Sequence, residues 1–193
     1  DSMALLYLSA IWRQRTGNEI KVVSVDHGLR NNSSNEVEFV KGIAKENNIN
    51  HFSLKSEIDI KNLQGNIQNN ARKVRYDLLT EWAKEEGIKV ILLGHTLDDQ
   101  EENLLIRFFR GSGVDGLASI ERKQLKKNIL WFRPLLGYRR EYLRSFLKEN
   151  SKNWIEDPSN DNDRFKRVKV RKLLPKLTKN MFFCFISKLY KRP

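Results

Sequence analysis

Apolar residues recur along this chain at two spacings. In the opening stretch DSMALLYLSAIWRQRTGN, Met3, Leu5, Leu6, Leu8, Ile11 and Trp12 follow a mostly buried helix, with Asp1 or Ser2 placed to cap its first turn. Neither an initiator Met nor a strand precedes that helix, so an upstream segment is expected. The run IKVVSV then reads as a buried strand, because Ile20, Val22, Val23 and Val25 leave little room for alternation. Val37, Val40, Ile43 and Ala44 mark one face of a helix, HFSL a short strand, and KSEIDIKNLQGN a loop. The clearest helix is IQNNARKVRYDLLTEWAKEEG, where Ile67, Ala71, Val74, Leu78 and Trp82 recur every three or four residues and Gly87 supplies the stop. IKVILLGH is a strand, DDQEENLLIRFFRG a helix closed by GSG, ILWFRPLL an apolar segment and RREYLRSFLKEN a further helix. Strands alternating with helices imply parallel pairing through right-handed crossovers. The expected fold is an open, mostly parallel, doubly wound α/β sheet.

Composition changes this picture in one respect. The 193 residues suffice for one sizeable domain, and the net charge of +12 is unevenly placed. Residues 1–121 carry 15 Lys and Arg against 18 Asp and Glu; residues 122–193 carry 21 against 6. A near-neutral core joined to a strongly basic final third suits a surface that meets a polyanion, and nucleic-acid contact is expected there. A soft boundary falls near residue 138. No apolar stretch approaches the ~20 residues a membrane helix needs. Cys184 is the only cysteine, which excludes an intramolecular disulfide and a multi-cysteine metal site and fits a cytoplasmic location.

Ligands of open parallel sheets gather beyond the carboxyl ends of the strands. Two strand exits carry polar groups: VDHGLR, with Asp26, His27 and Arg30, and GHTLDDQEEN, with His95, Asp98, Asp99, Glu102 and Asn103. Gly94 is expected to permit a sharp turn. Thr96 and Asp99 have capping-box spacing, which accounts for part of the acid cluster but not its crowding. Asp98 and Glu102 lie four apart and Asp99 and Glu102 three apart, so each pair shares a helix face and repels unless a cation joins it. Carboxylate oxygens suit Mg²⁺ better than zinc. On these residues alone, Mg²⁺–phosphate chemistry and a merely acidic helix start both stand. Arg72 and Arg75, three apart on a polar helix side, form a fork for phosphate or carboxylate, or else a solvated face. Trp154 and Phe165 are assigned to core packing rather than base stacking.

Taken in order, DSMALLYL, VDHGLR, ARKVRY, GHTLDDQEEN, RFFRGSGVDGLASI, RPLL and WIEDPSNDNDRFKRVKVRKLLP resemble the tRNA(Ile)-lysidine synthetase family of the N-type PP-loop ATP-pyrophosphatases, over residues 1 to 177. The opening Asp-Ser matches the end of that family's S-G-G-x-D-S loop. The resemblance implies a Rossmann-like sheet of the adenine nucleotide alpha hydrolase (HUP) type. Residues 1–138 would form the nucleotide-binding domain, without its first strand and the S-G-G of its loop. Residues 139–193 would be a basic helical extension that completes the catalytic domain and contacts tRNA. The implied reaction is ATP-dependent. The 2-keto oxygen of the first anticodon cytidine of a CAU-bearing isoleucine tRNA attacks the α-phosphate of ATP, pyrophosphate leaves, and the amine of free L-lysine displaces AMP to give lysidine.

The resemblance also implies roles. Asp1, Asp99 and Glu102 would hold Mg²⁺ or the lysine ammonium, and Arg72 and Arg75 would neutralise charge on the α-phosphate. Asp1, Ser2, Asp26, His27, Gly94 and His95 would line the ATP site. Arg139, Arg140, Arg164, Arg167, Lys169 and Arg171 would meet tRNA. The chain departs from the family in carrying Asn103 where Thr is usual and Val168 where the late R-N-x-[IV]-R motif has Asn. Sulfur-transferring relatives need cysteines that this chain lacks, and a serine hydrolase would need a G-x-S-x-G elbow, also absent. An inactive remnant or a non-catalytic RNA-binding relative stays open at this point.

Overall fold

Successive side chains of a strand point to opposite faces, and the residues of one strand, β1 (Lys21–Asp26), show how the layers are built. Val22 packs with one set of helices, whereas Val23 and Val25 pack with another on the opposite face. The computed structural model describes residues 1–26, 33–56, 67–111, 120–155 and 170. On one face lie α1 (Ser2–Thr16), α2 (Ser33–Glu46) and α5 (Arg140–Glu149). Met3, Leu6, Ile43, Leu143 and Leu147 form their shared core. On the other face lies α3 (Ile67–Glu85), whose Leu79, Trp82 and Ala83 meet Ile91, Ile129 and Trp131. Trp131 is 1% exposed; replacing such a side chain by Ala costs roughly 3–5 kcal/mol. The fold is the expected open, doubly wound α/β arrangement.

β1 pairs in parallel with β2 (Asn50–Lys55), from Lys21 opposite Asn50 to Asp26 opposite Lys55. A second sheet has the order β3 (Val90–Leu92), β5 (Ile129–Phe132), β4 (Lys123–Lys126). β3 is parallel to β5, and β4 is antiparallel to it. Among the described residues the two sheets share no ladder. Side chains of the α3-face core join them.

Several expectations need correcting. The β1 run is only half-buried throughout, and β3 is shorter than IKVILLGH suggested, with Val90 and Leu92 exposed on either side of buried Ile91. Both strands are paired on one side alone among the described residues. Ile11 and Trp12 lie on the exposed side of α1, at 38% and 47% exposure, rather than in the core. ILWFRPLL is two elements, since Pro134 opens a 3-10 turn over Pro134–Gly137. The antiparallel β4 was not foreseen. Its two-residue turn has Lys127 and Asn128 at φ of 53° and 63°, the left-handed pair a tight hairpin needs. Gly87 ends α3 at φ 66°, as expected, and Trp154 packs against the core of the α1 face. Leu143 and Leu147 of α5 belong to that core.

Candidate active site

The acid cluster begins α4 (Leu97–Phe108), directly after β3 and the short exit Leu93–His95. Buried Thr96 is the N-cap, and its backbone N–H donates to Asp99 Oδ2 at 2.8 Å while its hydroxyl donates to the same oxygen at 2.9 Å. The capping box is therefore real, and it fixes Asp99 by one carboxylate oxygen. The rest of the cluster faces α5. Asp98 Oδ2 accepts from the Arg140 backbone N–H at 2.8 Å, and the Leu97 N–H donates to the Tyr138 carbonyl at 2.9 Å. Glu101 takes the Arg139 guanidinium at 2.8 and 3.1 Å, a hydrogen-bonded pairing that raises the Arg139 pKa above its ordinary value.

Arg140 occupies the centre. Its Nε donates to Asp1 Oδ2 at 2.9 Å, one terminal nitrogen lies 3.5 Å from Asp99 Oδ1, and the other lies 3.7 Å from Glu102 Oε1. Glu102 is only 2% exposed. A buried carboxylate needs a cation beside it, and Arg140 supplies one. Asp1 stands at the N-cap position of α1 without capping it through its side chain, because that carboxylate turns to Arg140. This corrects the expectation of a capping role for Asp1.

Gly94 also has a different purpose from the one expected. It is not among the left-handed glycines; instead a β-carbon there would lie 3.2 Å from the Ser2 backbone. A glycine at the end of β3 thus lets the start of α1 approach until Asp1 reaches the acids of α4. His95 is half-buried at the same strand exit, and Asp26 ends β1, its carbonyl accepting from Ser56 N–H at 3.0 Å.

The structure brings together Asp1, Ser2, Gly94, Asp99 and Glu102, and adds Arg139 and Arg140, which had been assigned to tRNA. Arg72 and Arg75 lie on the exposed side of α3, where Arg72 donates to the Tyr76 hydroxyl at 3.2 Å. His27, Arg30, Arg164, Arg167, Lys169 and Arg171 lie outside the described residues. Sequence reasoning missed Gln100, whose buried amide holds the Ile120 backbone by two hydrogen bonds of 2.6 and 2.8 Å. It also missed buried Arg133, which donates to the Glu121 carbonyl at 2.8 Å. The Arg139-Arg140 pair opening a helix just after RPLL is the sequence signal for the acid contacts, beside the tRNA contact expected of it.

Carboxylate oxygens are the donors Mg²⁺ takes. As placed, however, they do not fit the ion: among the described residues no group of three or more His, Cys, Asp or Glu side chains could hold one. Three acids surround a guanidinium instead.

Residues 1–177 match the PP-loop domain family. The chain belongs to that family. It is similar to the tRNA(Ile)-lysidine synthase of Wolbachia pipientis wMel, 42% identical over 176 residues, covering 90% of this chain and 40% of the relative. The protein of the same name from Ruegeria pomeroyi is 40% identical over 174 residues, covering 90% and 41%. That from Hyphomonas neptunium is 38% identical over 190 residues, covering 94% and 50%. The chain thus spans about two-fifths to half the length of these relatives. Among solved structures it is similar to the U34-tRNA thiolase NcsA of Methanococcus maripaludis with its [4Fe-4S] cluster, at a TM-score of 0.77 and 16% identity, covering 93% of this chain and 63% of that one. The likeness shows a shared fold.

Proposed function

We propose that this chain is the nucleotide-binding part of a tRNA(Ile)-lysidine synthetase. ATP adenylates the 2-keto oxygen of the first anticodon cytidine in tRNA(Ile) bearing CAU, and free L-lysine then displaces AMP. The observation that carries the reading is the gathering of Asp1, Asp99 and Glu102 around one cation beside the start of α1. Similarity near 40% to relatives of that name supports it.

In this reading, Ser2, Asp26, His27, Gly94 and His95 line the ATP site, and Arg72 and Arg75 offset charge growing on the α-phosphate. Asp1, Asp99 and Glu102 would hold a cation beside the nucleotide, and as arranged they suit an organic cation such as the lysine ammonium rather than Mg²⁺. Arg164, Arg167, Lys169 and Arg171 meet the tRNA backbone, with Arg139, half-exposed, beside them in sequence order. No helix of the described residues is long and apolar enough to cross a membrane, and the proposed site of action is the cytoplasm.

The test is an assay with ATP, labelled lysine and purified tRNAs. Label entering CAU-bearing isoleucine tRNA, and not methionine tRNA with the same anticodon, is expected. No label, or equal label in both, contradicts the reading.

A further inference from the structure

We propose that Arg122 and Lys123 form a fixed pair of cations that takes the phosphate backbone of the RNA substrate, at the rim of the sheet from which α4 leaves. The inference rests on the reading of that substrate as a tRNA, given above.

Residues 122–127, RKQLKK, hold four cations and no acid. All are exposed, and among the described residues β4 is an edge strand. Lysines on an edge strand discourage pairing with another chain, which accounts for Lys126. That does not account for Arg122, which precedes the strand, or for the arrangement of the pair. The Arg122 guanidinium carbon lies 5.9 Å, and Lys123 Nζ 5.7 Å, from the centre of one ring, Phe132. Two like charges held on one ring repel, and an anion reaching both reverses that sign. Among the described residues neither is paired with a carboxylate, whereas Lys127 meets Asp77 at 3.7 Å.

The backbone that carries the pair is fixed from within. Buried Gln100 of α4 holds the N–H and the carbonyl of Ile120 at 2.6 and 2.8 Å, and buried Arg133 donates to the Glu121 carbonyl at 2.8 Å. The Arg133 backbone N–H donates to the Arg122 carbonyl at 2.9 Å. Two buried polar side chains thus set the course of a segment that is itself exposed. Its place is the rim where ligands of such sheets gather. Lys123 stands opposite Phe132, whose carbonyl accepts from the Leu93 N–H at 2.9 Å, just before Gly94, His95 and the start of α4. An exposed pair on a sheet edge suits a polymer lying across the surface rather than an enclosed nucleotide. Lys126 and Lys127 continue the positive charge along the hairpin, as a phosphate backbone requires.

The test is fluorescence anisotropy of the full chain with labelled CAU-bearing isoleucine tRNA over a range of salt concentrations. The double variant Arg122→Ala/Lys123→Ala should lose about tenfold in affinity near physiological salt, and its log–log salt slope should be shallower by about 1.5. Lys45→Ala/Lys84→Ala, which removes the same charge from the last turns of α2 and α3, should keep the wild-type slope. Arg122→Lys/Lys123→Arg, which keeps both charges, should bind close to wild type. If circular dichroism shows that the double alanine variant does not fold, Arg122→Gln and Lys123→Gln singly carry the test, each with a slope shallower by about 0.8. Wild-type affinity and slope in a folded variant overturn the pair's role alone, as does an equal loss in the Lys45/Lys84 control. Loss of affinity for an ATP analogue with tRNA affinity kept assigns the pair to the nucleotide, and overturns it too. A wild-type chain that does not bind the tRNA overturns the reading of the substrate and the pair's role with it.

Discussion

Arg139 and Arg140 are neighbours in the chain and both meet acids of α4, yet their surroundings differ. Arg139 makes the better-formed pair, forked on Glu101 at 2.8 and 3.1 Å, but its side chain is 48% exposed. Arg140 makes one good hydrogen bond and two long contacts, but it is 18% exposed among carboxylates at 19%, 20% and 2%. Water already solvates Arg139, so its pair adds little. Removing Arg140 takes a cation from beside buried Glu102 and leaves like charges facing each other. Enclosure, rather than bond length, decides which arginine matters to the fold.

Substitutions can break this comparison. Arg140→Ala should destabilise the chain by roughly 2–4 kcal/mol in urea unfolding, below the full cost of breaking a buried pair because the site is partly wet. Gly94→Ala should cost about 1–3 kcal/mol, since a methyl group must displace the Ser2 backbone and with it Asp1. It should leave the Arg139–Glu101 pair intact. Arg139→Ala should shift stability by no more than ~0.5 kcal/mol, and less at high salt. If the two arginines cost the same, the comparison fails.

The smallest effect lies away from both arginines, between β1 and β2. His51 bonds Ser24 at 2.9 Å, and burial, then the Lys41 charge, lower its pKa below the ordinary 6.5. The unfolded chain therefore takes up this proton first as pH falls. Stability should decline below about pH 6.5 through this residue, and His51→Gln should flatten that part of a stability–pH profile.

How much of this was legible beforehand depended on whether a property is local. The helices were readable because α3 repeats its apolar residues every three or four positions, and the Thr96–Asp99 cap because its partners are three apart. The β4 hairpin was missed because KQLKKN looks like solvated loop; every residue of β4 is exposed, so no burial pattern marks it. The acid cluster was legible as an anomaly, but its neutralising partner was not. Asp1 and Arg140 are separated by 139 positions, and no local pattern links them. Gly94 was recognised as necessary for the wrong reason, because close approach of a distant backbone leaves no trace in neighbouring residues.

The most direct test of the central claim, that the acids facing Arg140 serve nucleotide activation, is tRNA-dependent pyrophosphate release from ATP by Asp99→Asn beside wild type. Asn at this position still accepts the Thr96 cap through its carbonyl oxygen, so the helix start should survive while the site loses a charge. The account predicts a loss of release on the order of a hundredfold or more, with the unfolding midpoint little changed. Release at the wild-type rate from a folded Asp99→Asn protein would contradict it.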